Sequence, residues 1–121
     1  MIFKKLFAAS RQESAAIGVD EARRRLDAGK ALLVDVREPD EWRAGHVAEA
    51  IHIPLGTIAS RASALPKDRE ILVICRTGNR SAMAQERLAQ AGFTNVTNIE
   101  GGITAWAEQG YPVATGEGRA A

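Results

Sequence analysis

The chain is short of several things at once. It has one cysteine, Cys75, among 121 residues. A single thiol excludes an internal disulfide framework, a C-x-x-C redox pair and a multi-cysteine zinc site. Two histidines, His46 and His52, are too few and too scattered to suggest a metal centre. No metal and no cofactor is expected. Charge of one sign is lacking as well: sixteen basic residues stand against fifteen acidic ones, for a net charge of +1. No global basic field points to nucleic acid. No apolar run approaches the roughly 18 residues of a membrane helix. Met1–Ser10 carries Lys4 and Lys5 but no apolar stretch of signal-peptide length. A cytoplasmic location is expected, since an unpaired reactive thiol needs a reducing compartment.

What is present fits one domain with a real core. Apolar residues make up 45% of the chain and charged residues 26%, which argues against disorder. Twelve of the sixteen basic residues are arginines, so a local cationic site would be a guanidinium site.

Residues 1–16 read as an extension: a short terminal helix, or more remotely a membrane-surface anchor, and then a polar connector. Gly18 is placed to cap a helix with Asp20 and Glu21 in its first turn, and Gly29 ends it. Arg23–Arg25 spreads round that helix as a solvated face. Ala31–Arg37 is a short apolar run that reads as a buried parallel strand. Pro39 opens a short helix that Gly45 closes. Ala50–Ile53 is a second strand. Leu55, Ile58, Ala62 and Leu65 predict a helix over 55–65. Glu70–Cys75 is the strongest strand, rich in β-branched residues. A helix follows over 79–91, then a strand over 95–99, then a helix from Gly102 through Trp106. Alternating strands and helices predict an α/β domain with a mostly parallel sheet, which binds ligands at the carboxyl ends of its strands.

Cys75 falls at such an end, before the loop Arg76-Thr77-Gly78-Asn79-Arg80-Ser81. A free thiol has a pKa of about 8.5 and needs help to ionise at neutral pH. The helix N-terminus supplies amides and a dipole. Gly78 lets the loop curl into an anion nest. Arg76 and Arg80 bring fixed positive charge. These features favour a nucleophilic Cys75 over an inert strand cysteine.

Four motifs in this order resemble the single-domain rhodanese (thiosulfate sulfurtransferase) family, over residues 17–113. They are Asp35-Val36-Arg37-Glu38, Gly45-His46-Val47 through Ala50-Ile51-His52-Ile53-Pro54, Cys75–Ser81, and Glu100-Gly101-Gly102-Ile103-Thr104-Ala105-Trp106. Glu49 departs from the pattern, where a glycine is usual. The resemblance implies a rhodanese-like domain with a central five-stranded parallel sheet and helices on both faces. It implies a Cys75 persulfide, filled from a small-molecule sulfur donor such as thiosulfate. A thiol, cyanide or a protein sulfur acceptor then empties it.

Three other readings compete. A phosphatase or arsenate reductase on the same fold uses a C-x₅-R loop, whereas Cys75 to Arg80 is C-x₄-R, a smaller cup suited to one sulfur atom. A sulfur carrier or a regulatory module would use the same fold without multiple turnover. A Cys–His hydrolase would need Cys75 and His46 to meet in space. For the sulfurtransferase reading, Arg76, Thr77, Gly78, Asn79, Arg80 and Ser81 are expected to bind through their amides. Arg80 faces either the pocket rim or an acid. Asp35 and Arg37 brace the site as an ion pair, or Arg37 reaches the donor. His46 organises its turn, and Trp42, Trp106 and His52 are structural. Residues 114–121 read as a loose tail. No nucleic-acid partner and no membrane contact is expected, and the oligomeric state is left open.

Overall fold

The computed structural model describes residues 15–117. Five parallel strands run in the order β1-β5-β4-β2-β3. They are β1 Ala16–Ile17, β2 Ala31–Asp35, β3 Ile51–His52, β4 Glu70–Ile74 and β5 Val96–Ile99. The helices are α1 Val19–Asp27, α2 Pro39–Ala44, α3 Asn79–Gln90 and α4 Gly102–Glu108. This is the α/β architecture expected, with a parallel sheet covered on both faces.

Strand alternation divides the core. Along β4, Ile71, Val73 and Cys75 point to one side with α3 residues Ala84 and Leu88. Leu72 and Ile74 point to the other, with Ala22 of α1, Trp42 of α2 and Trp106 of α4. β4 is therefore apolar on both faces, which is why it carries the clearest strand signal. The same alternation turns Cys75, one residue past the strand, toward the α3 side.

Three expectations change. The helix over 55–65 is instead two short 3₁₀ turns, Leu55–Thr57 and Ala62–Ala64. Hydroxyls compete for the backbone there: Thr57 Oγ1 donates to the Pro54 carbonyl and Ser60 Oγ to the Thr57 carbonyl. Arg87 takes the Leu55 carbonyl, and Gly56 weakens helix propensity further. The apolar spacing still serves its purpose, because Ile58, Ala62 and Leu65 are buried on the α3 face.

The polar connector contains a strand. β1 is two residues long and pairs with β5, Ala16 opposite Asn98 and Ile17 opposite Ile99. Its brevity hides any alternation from the sequence. Finally, hydrogen bonding extends the domain past the expected boundaries at 17 and 113. The Ala15 carbonyl accepts from the Asn98 amide. His46 and Ala114 exchange both backbone bonds, Gly116 N–H donates to the Arg43 carbonyl, and Trp42 Nε1 donates to the Glu117 carbonyl. Residues 114–117 are thus strapped over α2. The expectations for residues 1–14 and 118–121 lie outside the described residues.

Candidate active site

Cys75 sits at the carboxyl end of β4, the central strand, where the chain turns into α3. The thiol is almost fully buried, at 1% exposure. Gly78 caps α3 at φ +120°, a conformation open to glycine, and offers no side chain to the helix amides. Its N–H donates to Cys75 Sγ at 3.1 Å. Ser81 Oγ lies 3.3 Å from the same sulfur. Burial pushes the Cys75 thiol up, but the Ser81 hydroxyl and the amides of Ser81, Gly78 and Thr77 outweigh it and hold the thiol below its ordinary value.

Thr77, Gly78 and Ser81 direct amides at the sulfur. The Arg76 carbonyl accepts from Thr104 N–H at 3.1 Å, and the Cys75 carbonyl from Ile103 N–H at 2.8 Å. The first turn of α4 therefore pins the loop from behind. This close approach needs Gly102, because a Cβ there would lie 2.3 Å from the Cys75 carbonyl oxygen.

Arg80 faces an acid. Its guanidinium bonds both Glu41 oxygens, at 2.7 and 2.9 Å. Those bonds draw the Glu41 carboxyl down from 4.5 to about 2 against the opposing effect of burial. Glu41 also accepts from the Glu38 N–H, completing a capping box at the start of α2. Of the two alternatives expected for Arg80, the pocket rim or an acid, the acid is the one observed, and Glu41 is the partner that the sequence left unnamed. Arg76 has no ion-pair or side-chain hydrogen-bond partner among the described residues.

Arg37 and Asp35 form the expected ion pair, bidentate and buried, at 2.8 to 3.2 Å. Arg37 Nη2 also donates to the Gly45 carbonyl at 2.6 Å. The pair thus braces the loops round α2 rather than the cysteine loop itself. Arg37, Glu41 and Arg76 share the wall of a largely apolar groove of about 350 Å³, with Ile103, Ala107 and Val113 opposite.

His46 is buried. Its Nδ1–H donates to the Trp42 carbonyl at 2.7 Å and its ring stacks on the indole at 3.6 Å. It makes no bond to Cys75, so the sequence pair Cys75–His46 does not form. His52 Nε2 bonds the Arg37 carbonyl, and Trp106 is wholly buried.

Sequence reading missed Asn98. It lies on β5, buried to 9% exposure, next to the polar Thr97 and between the apolar Val96 and Ile99. Its Nδ2 donates to the Gly78 carbonyl at 3.0 Å, and its Oδ1 accepts from Ser81 Oγ.

Among the described residues no group of His, Cys, Asp and Glu is arranged to hold a metal ion. No described helix is long and apolar enough to cross a membrane.

An open parallel sheet that ends its central strand in a cysteine, ringed by helix-terminal amides, defines an α/β domain with a thiolate cradle. The family model for the Rhodanese-like domain matches residues 18–109, and the chain belongs to that family. It is 41% identical over 97 residues to a sulfurtransferase of Allochromatium vinosum, covering 80% of this chain and 91% of that one. It is 35% identical over 91 residues to a putative sulfur carrier protein, YrkF, of Bacillus subtilis. That match takes in 74% of this chain and about half, 49%, of the relative. The crystal structure of a rhodanese-related protein from Thermoplasma volcanium superposes with a TM-score of 0.76 at 38% identity, covering 83% of this chain and 97% of that one.

Proposed function

We propose that the protein is a sulfurtransferase that carries sulfane sulfur on Cys75. The observation behind this reading is the cradle: a buried sulfur that accepts from the Gly78 amide and lies beside the Ser81 hydroxyl at the start of a helix with no acid in its first turn. The Cys75 thiolate attacks the outer sulfur of thiosulfate. The new S–S bond forms as the old one breaks, and sulfite leaves with the electron pair. The product is a Cys75 persulfide. A thiophilic acceptor, cyanide or a thiolate, then attacks the terminal sulfur, and the electron pair returns to Cys75 Sγ.

The donor set suits both steps. Amides from Thr77, Gly78 and Ser81 stabilise negative charge on Sγ before the first displacement and as it reappears in the second. Arg76, exposed and without an ion-pair partner among the described residues, attracts the anionic donor. Arg80 is largely neutralised by Glu41, which weighs against an oxyanion-gripping phosphatase. The lone thiol in the chain leaves the persulfide no internal partner for a disulfide. A cytoplasmic setting and a protein acceptor belong to this reading, supported by the reduced thiol and by the carrier name of one relative.

The test is thiocyanate production from thiosulfate and cyanide, with Cys75→Ala beside the wild type. Multiple turnovers that vanish in the variant are expected. A persulfide mass increment on the intact wild type without turnover would favour a sulfur carrier, the second reading. Neither signal would overturn both.

A further inference from the structure

Ser81 has one hydroxyl proton and two claimants for it. Its Oγ lies 3.3 Å from Cys75 Sγ and in short contact with Asn98 Oδ1. The amide of Asn98 cannot be turned to relieve this. Its Nδ2 donates to the Gly78 carbonyl at 3.0 Å, so the oxygen must face Ser81. Two oxygens this close attract each other only with a proton between them, and only Ser81 can supply it. When Cys75 is neutral, the hydroxyl therefore donates to Asn98 and turns a lone pair to the sulfur. When Sγ is an anion, that lone pair faces a negative charge, and rotation about the Cβ–Oγ bond brings the proton to the sulfur instead.

We propose that Asn98 is a positioning residue that makes the Ser81 hydroxyl a two-position switch, parked on Asn98 when Cys75 is neutral and swung to Sγ when the sulfur carries charge. This deepens the sulfurtransferase reading and rests on it for its catalytic meaning. The two half-reactions ask opposite things of the cradle. Attack on the donor wants a thiolate that is not overstabilised, because nucleophilicity falls as the thiol becomes more acidic. Discharge wants the leaving Cys75 sulfur stabilised as its S–S bond breaks. A hydroxyl with a competing acceptor meets both demands. Competition from Asn98 weakens the bond that the hydroxyl gives the attacking thiolate, and the growing charge on Sγ draws the proton in during departure. No proton leaves Ser81 in either step; only its hydroxyl rotates.

The charged side chains on the surrounding elements are Arg76 and Arg80 on the loop and α3, Glu38 and Glu41 on α2, Arg37 after β2, and Glu100 after β5. Glu100 is exposed. Arg80 and Glu41 bond each other, and Arg37 bonds Asp35. None of these side chains bonds Ser81 or Asn98, so the hydroxyl is governed by its neutral neighbours.

The experiment is titration of the thiolate by its ultraviolet absorbance, which the single cysteine makes unambiguous. It is run on the wild type, Ser81→Ala, Asn98→Ala, Asn98→Leu and Ser81→Ala/Asn98→Ala. Ser81→Ala is expected to raise the thiol pKa. Asn98→Ala and the near-isosteric Asn98→Leu are expected to lower it, because the hydroxyl is then free to stay on the sulfur. The double variant is expected to titrate with Ser81→Ala. An upward shift in both Asn98 variants would overturn the proposal, as would an equal shift with Ser81 absent. Either result would mean that Asn98 acts by anchoring Gly78. In single-turnover discharge of a preformed persulfide, Ser81→Ala is expected to slow transfer roughly threefold to tenfold, the worth of one hydrogen bond. Titration needs neither donor nor turnover, so its outcome is independent of the persulfide assay that tests the reading beneath it.

Discussion

Four helices begin at the carboxyl edge of this sheet, and three of them, α2, α3 and α4, use their N-terminal amides in different ways. At α2, Glu38 and Glu41 close a capping box, so the helix satisfies its own amides with its own carboxylates. At α4, the amides of Ile103 and Thr104 bond the carbonyls of Cys75 and Arg76. At α3, the cap is Gly78, no acid lies in the first turn, and the amides face Cys75 Sγ. A helix end becomes an anion site here because its own residues decline to fill it. The sequence difference is small, glycine against glutamate at the cap, and the chemical difference is large.

The sharpest way to break the comparison is Gly102→Ala. The added methyl would meet the backbone of Cys75 and Arg76 at 2.3 to 2.6 Å. Backbone cannot yield as a side chain can, so about 3 kcal/mol or more of stability should go. A fall in Tm of roughly 10 °C or more is expected in a thermal scan. An unchanged Tm would mean that α4 does not hold the loop.

Gly78→Ala tests the open cap itself. The methyl has room, with its nearest neighbour at 3.8 Å, but φ is +120°. The strain costs on the order of 1–3 kcal/mol and should swing the Gly78 amide off the sulfur. The Cys75 thiol is then expected to titrate higher, and persulfide formation at neutral pH to slow about tenfold for each 1.4 kcal/mol lost. A thiol titration identical to wild type would remove Gly78 from the cradle.

The arginines offer a milder test. Arg76 has no ion-pair partner among the described residues, and Arg80 is held by Glu41. Arg76→Ala is therefore expected to raise the KM for thiosulfate about threefold and flatten its dependence on salt, with Arg80→Ala doing less. The reverse ranking would mean that Arg80 leaves Glu41 when donor arrives.

The closed end should also respond mildly. Glu41→Gln removes the Arg80 clamp and weakens the α2 cap, at a cost of about 1 kcal/mol. The Glu41 carboxyl sits at about 2 instead of 4.5 because Arg80 bonds it. Its folded pKa is depressed, so its contribution is full above the unfolded value and fades as pH falls from about 4.5 toward 2. Wild type and variant should differ in denaturant midpoint near neutral pH and converge in acid. A gap that persisted in acid would point to packing rather than charge.

Much of this was legible along the chain. The β4–loop–α3 segment announces itself, since a dense apolar strand, a glycine and a helix N-terminus are contiguous. So does α2, with Pro39 at its start and Gly45 at its end. The failures have a common cause. β1 is too short for alternation, and its strand character comes from pairing with β5. The 55–65 segment has helical spacing, but hydroxyls and the distant Arg87 claim its carbonyls. Asn98 lies seventeen residues from Ser81 in sequence, and Glu41 thirty-nine from Arg80. No local pattern reports either pair.

The sequence by itself determined the surroundings of the lone thiol in kind: Cys75 at the end of the clearest apolar strand, before a helix with no acidic cap. Local chemistry suffices for that, because strand propensity, glycine and helix dipole act over a few residues. Only the tertiary structure decided the orientation of the charges and of the Ser81 proton. It turned Arg80 to Glu41, Arg37 to Asp35 and Gly45, and Asn98 to Gly78 and Ser81. Those choices depend on which strands lie side by side. Sheet order sets elements distant in the chain a few ångströms apart, where hydrogen bonding becomes decisive.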